Sequence, residues 1–536
     1  MDEDKVWHES IYDLAIEKDK IKNFHYPIIP GETINFRESL AVKLVKFYQI
    51  LKEKKNSYFD ECSASLFSII SETVNIYYTL LLKNKLESKN YKIIPDRKSR
   101  LLNNILRKKK PEFPKALSQL IKGMERKKKA YFFFKFSKNL IFKKKIRKAF
   151  IKFPDLNKDI ICIGYNSFLE QHAKFEKKKV YYIELNKWFK KLNEPNGTNL
   201  DLDFVTKNIL EIIFQEFKEK EVDLNEDLKI YFQRMVKLLL KKLSIYKKSI
   251  LNSEIGVPKI IWTPSGGGIF ANIFRQVCKS LGSTVVGHAH GSGTGFFTDY
   301  GRTNSILEFQ SCTDFYVYTK RSVGEYKKYS REDLIIDNKL PNIKNIENST
   351  SWPDDKINFF EKVMTFKKKN LSILYIPSIF ISDAYFDGKL IDSHNAYNWL
   401  LKLSNFFQKN NFDFKVKMHP SKKPPNEYIK YYKKNISDVS LAKSIHNSSL
   451  IITDQPSSNS FAAVIVSKKP VIFIDLKVHN FSNYALNLLK KRCSVIEGNF
   501  TKKGIDLNWD LLKDLIQNPK NKFSQEFKKA YFENNI

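Results

Sequence analysis

The chain has 536 residues, 42% hydrophobic and 14% aromatic, which supplies apolar surface for more than one core and excludes a disordered or collagen-like chain. It carries 93 Lys and Arg against 58 Asp and Glu, a formal net charge of +35. Five scattered cysteines (Cys62, Cys162, Cys278, Cys312 and Cys493) form neither a CxxC pair nor a Cys/His cluster, so their spacing supports no disulfide framework and no structural zinc site.

The N-terminal MDEDKVWHES is acidic and polar, unlike a secretory signal. The most apolar run, Leu66 to Leu82, is interrupted by Ser, Glu and Asn. A cytoplasmic protein is therefore the expectation. Residues 1–90 read as mainly helical, with a helical period through Ser63–Leu82. Residues 101–150 then hold 17 Lys and Arg against only Glu112 and Glu125. Arg107–Lys110 and Arg126–Lys129 are both RKKK, followed by YFFFKF (Tyr131–Phe136) and FKKKIRKAF (Phe142–Phe150). Basic clusters interleaved with Phe suit an interfacial segment on anionic lipid, rings inward and ammonium groups at the headgroups. The plainer alternative is a solvated helical insertion packed on the domain beneath. Nucleic acid is not an expected partner: the chain has 12 Arg to 81 Lys, whereas base-edge readout favours the guanidinium fork, and no nucleic-acid-binding signature is present.

Strand and helix patterns alternate from residue 159 onward. Asp159–Gly164 and Val180–Leu185 read as strands, and 203–250 as a long amphipathic helical stretch. Lys259–Pro264 predicts a strand, Ile269–Ser280 a helix, Thr284–Gly287 and Phe315–Thr319 strands, and a helix starts at Ser322. Residues 336–365, polar with two prolines, read as a linker. A second unit follows, with strands at Leu371–Pro377, Phe412–Met418, Leu450–Thr453 and Val471–Ile474, helices at Asn395–Lys409, 438–446 and after Pro456, and a helical tail from Leu507. Alternation of this kind predicts parallel βαβ units and two doubly wound α/β domains. The expected division is residues 1–345 with a basic helical insertion near 101–150, residues 366–500, and a tail of 501–536 packing back.

Three segments at predicted strand ends carry chemistry, because ligands of open α/β sheets bind there. In TPSGGGIFA, Gly266, Gly267 and Gly268 form a loop whose N–H groups can approach an anionic substrate. The next strand ends in histidines rather than the ribose-binding carboxylate a nicotinamide enzyme wants, and no P-loop signature is present. In GHAHGSGTGFFTD, His288 and His290 alternate across a strand end beside Gly291, so one imidazole can enter a cleft as a general base. His290, next to the turn, is favoured, and the alternation disfavours a metal site. The third site is split: Lys417, His419 and Pro420 close one strand, while Asp454 closes another ahead of Ser457 and Ser458. Hydroxyls and free N–H groups at a helix start suit a phosphate, and a Ser there can equally serve only to cap the helix.

The order HG with a Gly-rich turn, a strand ending in HP, then TD-x-x-SS opening a helix resembles the GT-B glycosyltransferases of bacterial surface polysaccharides: capsule Kdo transferases, bacterial sialyltransferases and the CDP-glycerol glycerophosphotransferases. The resemblance spans roughly residues 259–475. It implies a GT-B-like pair of Rossmann-type domains facing a cleft. It also implies a metal-independent transfer from a CMP- or CDP-linked sugar to a surface polysaccharide or its lipid-linked precursor, with the nucleotide-activated sugar as co-substrate and no cofactor. His419-Pro420 and Ser457-Ser458 would hold the nucleotide phosphate, with Lys417 and Lys422 adding charge, and His290-Gly291 matches the HG element. Gln455-Pro456 stands where the glycerophosphotransferases have an aromatic, and Asp387-Gly388 only partly echoes the acidic motif of the sialyltransferases. The base thus stays open among His290, Asp299 and Asp383. A polyol-phosphate transferase, a sugar epimerase and a non-catalytic basic membrane-associated protein are the alternatives. Charge reversal or deletion within residues 126–148 is expected to abolish co-sedimentation with anionic liposomes without changing the circular dichroism spectrum; unchanged sedimentation refutes the membrane reading.

Overall fold

The computed structural model describes residues 6–8, 32–94, 159–183, 202–252, 257–264, 268–289, 295–347, 371–377, 393–418, 426–454, 456, 459–501 and 504–532. Short strands β1 (Val6–His8) and β2 (Lys92–Ile94) pair in parallel. The first large sheet contains β3 (Ile160–Ile163), β4 (Val180–Ile183), β5 (Ile260–Thr263), β6 (Thr284–His288), β7 (Asp314–Val317) and β8 (Asn342–Asn345), all parallel, in the order β4-β3-β5-β6-β7-β8. Central strands such as β3 (IICI) are apolar throughout and buried at every position, as expected for a sheet covered on both faces. The basic segment 101–150 lies outside the described residues.

Helices α1 (Glu32–Glu53) and α2 (Phe59–Glu87) precede this sheet; α3 (Ser167–Phe175) follows β3, and α4 (Asp203–Glu219) and α5 (Glu226–Leu251) follow β4. The stretch 203–250 is thus two helices. The break falls where Glu221 takes a left-handed φ of 54° and Asn225 caps α5 by accepting from Leu228 N–H. α2 is long and apolar enough to cross a membrane, yet 61% of its most apolar window is buried inside the protein. It packs among α1, α5 and the helix α6 (Ile269–Ser280) that follows β5. Two of its buried carboxylates are answered in place: Glu61 accepts from Ser244 and Lys247, and Glu72 from the Tyr231 hydroxyl. At its far end Leu82 and Leu86 enter the core of the second domain. Helices α7 (Thr298–Leu307) and α8 (Lys320–Tyr329) complete the first half.

The second sheet contains β9 (Ser372–Ile376), β10 (Asp413–Val416), β11 (Leu450–Thr453), β12 (Val471–Asp475), β13 (Ser494–Thr501) and β14 (Gly504–Leu507), in the order β10-β9-β11-β12-β13-β14, with only the last pair antiparallel. Its helices are α9 (Ser393–Lys409), α10 (Asn426–Tyr432), α11 (Leu441–His446), α12 (Asn459–Val466), α13 (Asn483–Arg492), α14 (Trp509–Gln517) and α15 (Glu526–Tyr531). The α/β fold class expected from the sequence is the observed one, with two Rossmann-type sheets and helices in front of the first.

Two readings are corrected. The stretch 336–365 is not linker throughout, because Asn342–Asn345 is the edge strand β8. It looks polar because only Ile343 is buried there, while Lys344 pairs with Asp314 of β7 at 2.6 Å. The residues after 500 are also not only a helical tail: β14 adds to the sheet, and Ile505, Leu507, Leu512, Leu515 and Ile516 join the second core.

The two halves meet through backbone. Phe297 and Phe481 form an antiparallel bridge, in which Thr298 N–H donates to Asn480 O at 2.8 Å and Ser482 N–H to Phe296 O at 2.9 Å. Phe296 and Phe297 are buried within the second domain's apolar cluster, beside Phe527, Tyr531 and Phe532 of the C-terminal segment. Thr319, which caps α8, donates to Ala530 O, and the Arg321 guanidinium lies over the Tyr484 ring. In β6, a Cβ on Gly287 would stand 2.7 Å from Phe315 Cδ2 and 2.8 Å from Cys312 Sγ. Gly287→Ala is therefore expected to lower stability by about 1–3 kcal/mol, read as a fall in Tm.

Candidate functional site

Each sheet reverses its strand order once. In the first the reversal lies between β3 and β5, in the second between β9 and β11. Helices cannot fill the crevice at such a point, so the loops leaving the two adjacent strands are free to hold a ligand. The loop leaving β5 is Pro264–Gly268, and the loop leaving β11 carries Asp454 and the two serines. The sequence thus sets its Gly-rich and Ser-rich segments at the two reversal points. Both crevices are also braced from below. Asn166, the N-cap of α3, donates to Pro264 O at 3.2 Å, and Thr453 Oγ1 donates to Ile376 O at 3.1 Å. Gly164 beside Asn166 has φ +95°, where a side chain would be strained.

His290, Gly291, Gly266, Gly267, Asp383, His419, Pro420, Lys422, Ser457 and Ser458 lie outside the described residues. Gly268 is described: it caps α6 in an extended conformation, with no side chain capping the helix. The first N–H groups of α6 therefore have no side-chain cap from that position, at the end of the loop.

His288 is 1% exposed, inside the sheet rather than in a loop. Its Nδ1 lies 3.1 Å from Thr263 O and its Nε2 2.9 Å from Nδ1 of His172 on α3. The carbonyl can only accept, so Nδ1 of His288 carries the proton, Nε2 accepts, and His172 donates from its own Nδ1. The pair is enclosed by aromatic rings: His172 stacks on Trp262 at 4.1 Å, and Tyr316 lies 4.2 Å from His172. Burial lowers the pKa of His288 to about 3, with the neighbouring His172 adding to the effect, and burial lowers that of His172 to about 4. His288 is thus a neutral core imidazole with both nitrogens occupied.

In the second domain, Lys417 donates to the carbonyls of Ser437 and Val439, tying β10 to the segment before α11, and burial lowers its pKa. Asp454 is 2% exposed; its Oδ2 accepts from the Tyr375 hydroxyl at 2.7 Å and from Trp399 Nε1 at 2.6 Å. Its described contacts hold the start of the Ser-rich loop on β9 and α9, a positioning arrangement rather than a phosphate contact, which a carboxylate would oppose.

Asp299 stands in the first turn of α7, at the joint between the halves. Its Oδ2 lies 3.4 Å from Nδ1 of His479, which follows β12. Its Oδ1 is buried and has no hydrogen-bond partner among the described residues. The His479 ring stacks on Phe297 at 4.6 Å, with Tyr300 at 5.7 Å. The sequence reading missed His479, although the signal was available: it follows a predicted strand end, as His290 and His419 do. Among the described residues no group of three or more His, Cys, Asp or Glu side chains could hold a metal ion.

No protein-family model matches the chain, and no curated protein matches it. Among solved structures, the UDP-GlcNAc 2-epimerase from Methanocaldococcus jannaschii is similar at 13% identity and a TM-score of 0.30, over 70% of this chain and 97% of that one.

The histidine pair has a measurable consequence. Below the ordinary imidazole value of 6.5 the unfolded chain binds protons at both residues, whereas the folded chain binds them only near about 4 and about 3. Stability held above 6.5 is therefore lost as pH falls through that window, by up to about 1.4 kcal/mol per pH unit for each imidazole. Urea midpoints at pH 7 and pH 5 are expected to separate in the native protein and to converge in a His172→Gln/His288→Gln variant, whose stability at pH 7 is lower.

Proposed function

We propose that the protein is a glycosyltransferase that uses a nucleotide-activated sugar, with a CMP- or CDP-linked donor, and acts on a surface polysaccharide or its lipid-linked precursor. The observation that carries this reading is the coincidence of motif and topology. A Gly-rich segment and a Ser-rich segment each leave a strand beside a sheet reversal, and the loops after β6 and β12, at the C-terminal ends of neighbouring strands, bond to one another. Ligands held at these two reversals would lie on the sides of the sheets that the joint connects, which suits a reaction between two substrates, one held by each domain.

In this reading the second domain holds the donor. Ser457 and Ser458 directly precede α12, so their hydroxyls and the first N–H groups of that helix would face the donor phosphate, with His419 as a further donor. These groups stabilise the negative charge that grows on the phosphate as the sugar leaves. Gly266, Gly267 and Gly268 would admit the acceptor close to the backbone of the first domain. A lipid-linked acceptor would give the basic, aromatic stretch 107–150 its purpose, by holding the enzyme to an anionic membrane face.

A thermal-shift screen against CMP, CDP, UDP, GDP, TDP, ADP and NAD tests this. A ligand at 100 times its Kd adds about 2.7 kcal/mol of stability. Stabilisation by cytidine nucleotides alone is expected, and its loss in Ser457→Ala/Ser458→Ala and in His419→Ala. A response to UDP, GDP or TDP instead would discard the cytidine donor, and no response to any nucleotide would discard the glycosyltransferase reading.

A further inference from the structure

We propose that His479, oriented by the Asp299 carboxylate, is the general base that takes the proton from the acceptor hydroxyl; the assignment rests on the glycosyl-transfer reading. The two residues come from different halves of the chain and meet where those halves bond. Asp299 follows β6, the strand next to β5 at the first reversal, and His479 follows β12, the strand next to β11 at the second. The pair therefore stands at the joint between the two sheets, with His479 6% exposed.

Its chemistry is that of an oriented imidazole. With Asp299 Oδ2 at 3.4 Å, Nδ1 is the protonated nitrogen and the lone pair is left on Nε2, which has no protein partner among the described residues. The separation is long for a hydrogen bond, as such pairs often are before substrate closes the site. Phe297 covers one face of the ring and restricts its rotation. Asp299 Oδ1 is the second observation: it is buried with no partner among the described residues, which is costly unless something else occupies it, and a sugar hydroxyl can donate to it. The joint itself does not require the charge, since two backbone hydrogen bonds and a cluster of phenylalanine rings already hold it. Among the described residues the Tyr300 ring lies 5.7 Å from the His479 ring, and Lys477, two positions earlier in the chain, is engaged by Asp475 and Glu497.

In the step, the acceptor oxygen bonds to the anomeric carbon while its proton passes to His479 Nε2. The bond from that carbon to the donor's phosphate oxygen breaks, and its electron pair leaves on the phosphate.

The experiment measures nucleotide release by the full-length protein from CMP-, CDP-, UDP- and GDP-linked sugars, with water standing in for the acceptor. His479→Asn keeps an N–H for Asp299 and removes the base. It is expected to cut release by about 10²–10⁴-fold, to lose the acidic limb of the kcat/KM profile, and to recover in part with added imidazole, while nucleotides still raise its Tm. Asp299→Asn is expected to lower kcat more than it raises KM. Release and a pH profile in His479→Asn equal to those of the native protein would overturn the base assignment and leave the glycosyl-transfer reading standing. A fall in Tm with loss of nucleotide stabilisation in both variants would make the pair a structural latch and overturn it as well. Failure of every nucleotide to stabilise the native protein would instead overturn the underlying reading, and the base assignment with it.

Discussion

Two loops cross at Phe297 and Phe481, and the backbone hydrogen bonds of that crossing tie the C-terminal side of one parallel sheet to the C-terminal side of the other. The pairing of Asp299 with His479 depends on this contact. Parallel sheets expose their ligand-binding loops on one side only, so two such domains can share a reaction only if those sides approach. Here Phe296 and Phe297 are inserted into the second domain's apolar cluster, and the chain's last helix returns over them. Gly295 allows the turn: it has φ +91°, and a Cβ there would stand 2.7 Å from the Ser322 backbone.

Polar groups beneath the rim are used to hold its loops. The His172–His288 pair links α3 to β6 and, through Thr263 O, to the end of β5, below the Gly-rich loop. Asp454 plays the corresponding part in the second sheet, gathering a hydroxyl from β9 and an indole N–H from α9 below the Ser-rich loop. Such networks are costly when partly satisfied, and their geometry is correspondingly restrictive when each donor finds its acceptor. In the proposed reading, where these loops grip a charged donor, such rigidity leaves less ordering to be done on binding.

Much of the fold was legible because burial on both faces leaves a continuous apolar run. Ile160–Ile163, Leu450–Thr453 and Val471–Asp475 stand out in the sequence for this reason, and Ile269–Ser280 stands out as a helix between two of the turns. Of the four edge strands of the two large sheets, β4 and β10 were legible and β8 and β14 were not. β8 has one buried side chain in four, and β14 alternates and pairs on one side, so neither carries the signal of the central strands. At the site, Asp454 and His288 were visible as polar residues at strand ends, but local sequence does not say whether such a residue turns up into a crevice or down into the core.

By itself, the sequence determined the α/β class, the places where strands end in glycine, serine and histidine, and the concentration of charge in 101–150. These follow from short-range rules: periodicity, turn chemistry and composition act within a few residues. Only the tertiary structure decided that His288 is a neutral core residue, that Asp454 and Lys417 are engaged by their own domain, and that Asp299 and His479, 180 positions apart, face each other. The physical reason is that protonation, desolvation and partner choice depend on which groups the fold brings within a few ångströms, and that contact is made between chain segments with no local means of anticipating it.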